Sequence, residues 1–155
     1  MIATRLRTAV ALMVGLGAAC HHAPETCPRP AVLIHAASGT ATLDVAVADT
    51  PDSQARGLSG RDRLGADDGM LFRFDGTTTA PFWMKGTTIP LSVAFYDGSG
   101  RIIDIQDMDP CATARCPLHR SARPYVGAIE ANQGYFGRHG IRPGDRVRPR
   151  IGGCT

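Results

Sequence analysis

LSVAFYDGSGRIIDIQDM, residues 91–108, is the segment from which the architecture of this 155-residue chain is most readily deduced. In its first part the apolar residues Leu91, Val93 and Phe95 alternate with the residues between them, which is the period of a β-strand. The turn sequence DGSG, residues 97–100, then leads into RIIDIQDM, residues 101–108, a second strand-like stretch of similar length. The segment therefore predicts a β-hairpin, to which the rest of the chain adds further strands.

Four more stretches have strand character. The sequences TATLDVAVA (40–48) and GMLFRF (69–74) alternate in the same way, and residues 125–130 predict another strand. RVRPRI, residues 146–151, predicts an edge strand because Pro149 cannot donate a ladder hydrogen bond. With 18 glycines and 11 prolines the chain is rich in turns. We therefore expect a mainly β fold, a compact antiparallel β-sandwich or barrel-like domain with one or two short helices.

Two short helices are predicted between these strands. Thr50 has the character of an N-cap, Pro51 suits the first helical position, and Gly57 ends the helix after about two turns. In ANQGYFGRHGI, Asn132 is the expected cap of a second short helix, and Gly140 is its expected stop.

The N-terminal segment indicates export. Residues 1–20 combine two arginines, an apolar run and small residues before Cys20, which is typical of a secretory signal. The ending LGAAC resembles a bacterial lipobox, in which Cys20 is lipidated; the alternative is cleavage after Ala19 and a soluble periplasmic protein. We expect a signal peptide over residues 1–19, a flexible tether over 20–30 and one domain over 31–155.

The net charge of the chain limits the partners that can be expected for it. Loss of residues 1–19 would lower the formal charge of +3 by two, so the mature chain is nearly neutral. That balance gives no electrostatic reason to expect nucleic acid as a partner. A membrane is expected only through the N-terminal lipid. We predict no cofactor and no metal, although Cys20, His21, His22 and Cys27 are possible ligands whose spacing matches no common zinc site.

The cysteines predict disulfides, as expected in an exported protein. Apart from Cys20, four remain, and Cys111 and Cys116 lie close together in the loop DPCATARCP. A local bridge between these two is the natural expectation. Cys27 and Cys154 lie near the two ends of the mature chain and could join its termini.

Trp83 and Lys85 are the only tryptophan and the only lysine of the chain, and they stand two residues apart in PFWMKGTTIPLSVAFYD, residues 81–97. On an extended strand both side chains point to the same face. Lysine is a compact charge whose pKa moves readily on burial, whereas every other basic residue here is arginine. A large aromatic beside a cation is unusual in a plain core strand, so the pair predicts a ligand or partner site.

Four other residues complete the candidate site. Arg56, Asp49 and Met84 are expected near Trp83 and Lys85, where Lys85 could contact a carboxylate or phosphate and Trp83 could stack on a sugar or a peptide end. In the structural alternative, Lys85 pairs with Asp49 or Glu130 under the cover of Trp83 and only holds the strands in register.

Four blocks in order resemble the DUF192 family: TPDSQARGLSGRDRL, GMLFRF, FWMKGTTIPLSVAFYDGSGRI and GIRPGDRV. The resemblance spans about residues 43–147 and implies a compact, largely β domain with short helices, frequently exported. Family members commonly have asparagine and aspartate where this chain has Gly86 and Ser92. The cysteine pair followed by Pro117 also resembles a loop that some members carry. The resemblance supplies no catalytic residue, because the family has no assigned function.

Three functions follow as hypotheses. The first is an accessory or binding module of the bacterial cell envelope, which holds an unknown small molecule or envelope protein near Trp83 and Lys85. The second is a hydrolase or lyase acting on envelope saccharide or peptide, with Lys85 or an aspartate as its acid, base or nucleophile. The third is a purely structural domain. We favour the binding module over the enzyme.

Overall fold

The computed structural model describes residues 28–113 and 115–152. The predicted signal peptide, Cys20, Cys27 and Cys154 therefore lie outside the described residues. Within them the chain forms nine strands and two short helices. In chain order these are β1 (Ala31–Ala36), β2 (Gly39–Ala48), α1 (Pro51–Arg56), β3 (Asp68–Thr78), β4 (Phe82–Trp83), β5 (Leu91–Tyr96), β6 (Ile102–Met108), β7 (Leu118–His119), β8 (Tyr125–Asn132), α2 (Tyr135–Arg138) and β9 (Arg146–Arg150).

Seven strands form one curled sheet in the order β6-β5-β8-β3-β2-β1-β9, and β4 pairs with β7 in a small second sheet. The two outer strands of the large sheet approach each other at one end. There Val147 N–H donates to the Gly100 carbonyl at 2.7 Å, and Ile102 N–H donates to the Asp145 carbonyl at 2.8 Å. The predicted mainly β, barrel-like fold is thus confirmed, and the hairpin of residues 91–108 forms β5 and β6.

The sheet differs from the purely antiparallel expectation in one pair. β2 and β3 run parallel, with Asp44 opposite Asp68 and Ala48 opposite Phe72. A parallel pair needs a crossover of a dozen or more residues, and the connection over residues 49–67, which contains α1, supplies it. The other strand pairs of the large sheet are antiparallel.

The core has two apolar clusters, one on each face of the sheet. In β3, Leu71 belongs to the first cluster, whereas Met70 and Phe72 belong to the second. The first cluster also contains Ile102 and Val147 from the two strands that close the curl, so it fills the inside of the sheet. The second cluster covers the outer face and supports the site described below.

Both predicted helices are present, but one begins later than expected. Thr50 caps α1, since its side chain accepts from the Ser53 N–H while the Ser53 side chain accepts from the Thr50 N–H, and Gly57 follows the last helical residue. α2 is capped by Gly134, not by Asn132. Asn132 is instead the last residue of β8, and its amide donates to the Gly65 carbonyl at 2.7 Å. The ladder with β5 extends to this residue and delays the helix.

Candidate functional site

The segment around β4 presents Trp83 and Lys85 to the outside. Phe82 and Met84 are buried, whereas Trp83 and Lys85 between and after them are exposed, so the side chains alternate as predicted. The Tyr125 hydroxyl holds the start of the segment by donating to the Ala80 carbonyl at 2.7 Å. Extended backbone anchored in this way places the aromatic and the cation on one face.

A turn at Gly86 ties this segment to the loop that follows α1. The Gly86 carbonyl accepts from the Gly60 N–H at 2.9 Å and from the Ser59 hydroxyl at 3.1 Å. Gly86 has a φ of +73°, the left-handed region that glycine adopts freely and asparagine tolerates. This backbone requirement explains how glycine can stand where the resemblance leads one to expect asparagine.

A cavity of about 270 Å³ lies between α1 and the β4 segment; we call it the Trp83–Lys85 pocket. Ala55 and Arg56 line it from the helix side, and Trp83 and Lys85 line it from the other side. Most of the remaining surface is apolar. It is contributed by Pro51, Leu58, Phe72, Phe74, Ala80, Pro81 and Phe82, together with Gln54, Gly57 and Thr87.

Aromatic packing holds the apolar wall of the pocket. Phe82 meets Phe72 edge to face with ring centroids 4.8 Å apart, and it meets Phe95 in the same way at 5.4 Å. Phe74 packs against Tyr125 at 5.5 Å. Such pairs stabilise by roughly 0.5–1.5 kcal/mol beyond their buried area, so the wall is defined before any ligand arrives.

The charges at the pocket are all of one sign. Arg56 and Lys85 are exposed at its edge, and none of the described residues that line it is acidic. Lys85 also lines a second, adjoining depression together with Gly86 and Cys111. The apolar pocket therefore has a positively charged edge.

Glu130 lies beneath the pocket rather than in it. This residue of β8 stands opposite Met70 of β3 and Val93 of β5, and it is only 4% exposed. A Cβ placed on Gly57, which lines the pocket, would be 3.8 Å from the Glu130 Oε2 atom. Burial alone raises the pKa of Glu130 to about 8, with no contribution from a nearby cation. Glu130 therefore does not pair with Lys85.

The cysteine loop lines the adjoining depression on the other side of Lys85. Cys111 and Cys116 are disulfide-bonded with their Cα atoms 5.7 Å apart, which confirms the predicted local bridge. Lys85 and Cys111 form an isolated parallel β-bridge. After the bridge the chain enters β7, where Leu118 lies opposite Trp83. The loop thus joins the β4 segment at two places.

The structure brings together some of the predicted site residues and separates others. Arg56, Trp83 and Lys85 line one pocket, whereas Met84 is buried in the second cluster and Asp49 is exposed outside the pocket lining. A part in binding for any of these five residues stays a prediction. Apart from Arg56, the residues of the α1 wall were not predicted for the site, and neither were Phe72 and Phe74. The sequence signal for this wall was the early end of α1 at Gly57, which leaves the last residues of the helix exposed.

The described residues contain neither a cluster of metal ligands nor a membrane-spanning helix. In residues 28–113 and 115–152 no group of three or more His, Cys, Asp and Glu side chains is arranged to hold a metal ion. No helix in this described part is long and apolar enough to cross a membrane.

Comparisons with known proteins agree with this fold. The family model for DUF192, described as an uncharacterised ancient conserved region, matches residues 33–149. A Novosphingobium aromaticivorans protein of unknown function has a crystal structure similar to this chain, with a TM-score of 0.71 and 32% identity over 76% of this chain and 83% of that one. A Sinorhizobium meliloti protein, suggested to be a transcription regulator, has a TM-score of 0.71 and 32% identity over 80% of this chain and 95% of its own. No curated protein matches the chain.

Proposed function

This chain belongs to the DUF192 family, and we propose that it is a binding module of the bacterial cell envelope whose ligand site is the Trp83–Lys85 pocket. One observation carries the proposal. Trp83 and Lys85 meet a second cation, Arg56 from a distant part of the sequence, at the edge of an apolar cavity. Concave apolar sites with a few convergent polar groups are where ligands usually bind.

The exposure of Lys85 supports a binding role over a structural one. In the structural alternative this amine pairs with Asp49 or Glu130 under the cover of Trp83. Lys85 is instead exposed, and Glu130 is buried away from it. The cation is therefore available to a group from outside the protein.

The same geometry gives the enzymatic alternative no specific support. Acid–base or nucleophilic chemistry by Lys85 would call for a carboxylate in hydrogen-bond reach within the pocket. None of the described lining residues is acidic, and Glu130, whose pKa is perturbed, lies beneath the floor. An arrangement of donors around an apolar cavity suits recognition better than proton transfer.

The envelope location rests on the N-terminal sequence. The charged start, the apolar run and Cys20 after small residues suit an exported chain that is lipid-anchored or soluble in the periplasm. Palmitate labelling of the expressed protein should be lost in Cys20→Ser. Unchanged labelling in that variant would contradict an anchor at this residue.

Binding is tested by a screen of small aromatic and alkyl compounds that include anions, cations and neutral molecules. Thermal shift and the fluorescence of Trp83, the only tryptophan, are measured on the full-length protein. Ala55→Phe should fill the pocket from the exposed face of α1 and abolish saturable binding. Ala122→Phe, on an exposed loop outside the pocket, should leave it unchanged. A screen without any Ala55→Phe-sensitive ligand would overturn the proposal.

A further inference from the structure

We propose that the Trp83–Lys85 pocket takes an organic carboxylate with a compact aromatic or alkyl body. This inference rests on the proposed function and names the chemical class of the ligand. It combines the hydrogen-bonding capacity of the pocket edge with the size and apolar character of the cavity.

The charged hydrogen-bonding groups at the edge are both donors. Arg56 and Lys85 carry only donors, and both are exposed. The Gln54 amide, which also lines the pocket, already donates to the Arg73 carbonyl at 2.5 Å. An ionised carboxylate is an acceptor-only group and forms its strongest hydrogen bonds with guanidinium and ammonium groups. Donor and acceptor therefore match at this edge.

The cavity selects the rest of the ligand. Phe72, Phe82 and Trp83 present aromatic surface, and Ala80 and Pro81 add further apolar surface. Burial of apolar area against these side chains favours a hydrocarbon body. A volume of about 270 Å³ is slightly below the roughly 300–1,000 Å³ of pockets for drug-sized ligands. The body should therefore be compact, such as one aromatic ring with a short chain.

Other ligand classes fit less well. An organic cation could stack on Trp83, but Arg56 and Lys85 would both repel it. A neutral sugar needs acceptors as well as donors around its hydroxyl groups, and among the described lining side chains only Gln54 and Thr87 can accept. The distribution of charge therefore favours an anion over both.

Two sources can supply this chemistry. One is a free small carboxylic acid, and the other is the terminal carboxylate of a peptide that ends in an aromatic residue. Both place the carboxylate near Arg56 and Lys85 and the ring in the cavity. The experiment includes both sources.

The experiment compares ligands that share one body and differ in charge. Binding of 4-phenylbutyrate, 4-phenylbutanamide and 4-phenylbutylamine to the full-length protein is measured by calorimetry at low ionic strength. The carboxylate should bind about tenfold more tightly than the amide, as two partly solvated ion pairs allow. The amine should bind more weakly still. A second arm compares acetyl-Ala-Ala-Phe with its C-terminal amide.

Charge variants assign the preference to the pocket. Lys85→Gln and Arg56→Gln should each lower affinity for 4-phenylbutyrate roughly two- to fivefold, without changing affinity for the amide. Arg148→Gln removes an exposed charge of β9 outside the pocket and should change neither. Because all three side chains are exposed, the variants should fold normally, which circular dichroism checks.

Each outcome has a defined consequence. Equal binding of acid and amide, or tightest binding of the amine, overturns the carboxylate class but leaves a binding pocket. If no member of the series binds while the wider screen yields a ligand sensitive to Ala55→Phe, the inference fails and the proposed function stands. If both experiments are negative, both the inference and the proposed function fail.

A charge preference that survives in Lys85→Gln and Arg56→Gln also overturns the inference. Tighter binding of the peptide acid than of 4-phenylbutyrate supports the class with a peptide terminus as its source, and the reverse order supports it with a free acid as its source.

Discussion

Trp83 of β4 lies directly opposite Leu118 of β7, and the two side chains are 50% and 51% exposed. Large apolar side chains that face each other on a two-stranded sheet and remain half in water contribute little to folding. They do extend the apolar surface of the Trp83–Lys85 pocket beyond its edge. The small sheet therefore presents the indole more than it stabilises the domain.

Leu118→Ala should change the surroundings of Trp83 with little effect on stability. We expect its fluorescence emission to move to longer wavelength, because the indole loses its cross-strand neighbour. The free energy of unfolding should change by less than about 1 kcal/mol, the upper value for one cross-strand pair. Fluorescence spectra and urea denaturation measure both quantities.

Ile151→Ala is the matched control for Leu118→Ala. Ile151 is also an exposed large apolar residue, but it lies beyond β9. Its replacement should leave the emission of Trp83 unchanged. An unchanged spectrum in Leu118→Ala, or a loss of several kcal/mol, would contradict the contact described for these residues.

Removal of the Cys111–Cys116 disulfide should lower the free energy of unfolding by about 2 kcal/mol, the loop-closure value for so small a ring. The double variant Cys111→Ser/Cys116→Ser tests this by urea denaturation. Because the loop leads into β7, the variant should also expose Trp83 more fully to acrylamide quenching. Ready alkylation of both thiols in the native, unreduced wild-type protein would show that the bridge is not formed.

Glu130→Gln should remove a decline in stability with pH. The pKa of Glu130 in the folded protein is about 8, against 4.5 for the exposed group. Between these values the folded protein holds a proton that the unfolded chain releases, so the free energy of unfolding falls as the pH rises. The variant should match the wild type near pH 4.5 and exceed its stability by an amount of the order of a few kcal/mol above pH 8.

Chemical denaturation from pH 4.5 to 9 measures this difference between wild type and Glu130→Gln. Asp62→Asn replaces an exposed acid in the loop after α1 and should keep the wild-type profile. Parallel profiles for wild type and Glu130→Gln would mean that the carboxyl is not buried as described.

Thr50→Ala should weaken both α1 and the pocket. The variant removes the side chain that accepts from the Ser53 N–H, and loss of such a cap costs about 1 kcal/mol. Because α1 forms one wall of the pocket, ligand affinity should fall as well, which calorimetry detects. Thr79→Ala, at an exposed position outside the pocket lining, serves as the control. Full stability with Thr50→Ala would contradict the capping role.

The candidate site was only partly predictable. The two-residue spacing of Trp83 and Lys85 correctly indicated a shared face, because strand geometry depends on adjacent residues alone. Arg56 was expected near them and does line the same pocket. The burial of Glu130 without a cationic partner was not foreseen, since an acid inside an apolar cluster follows from its neighbours on β3 and β5, which lie far away in the chain.

Local residue order was sufficient for the hairpin of β5 and β6, for the alternation of Met70, Leu71 and Phe72, and for the cap at Thr50, because each depends on residues a few positions apart. Tertiary packing, by contrast, chose the parallel pairing of β2 with β3, the approach of Val147 to Gly100, and Leu118 as the neighbour of Trp83. The period of a strand shows which side chains share a face, but it does not name the strand that will lie beside it. That choice depends on how two apolar clusters can be buried at the same time on opposite faces of one sheet.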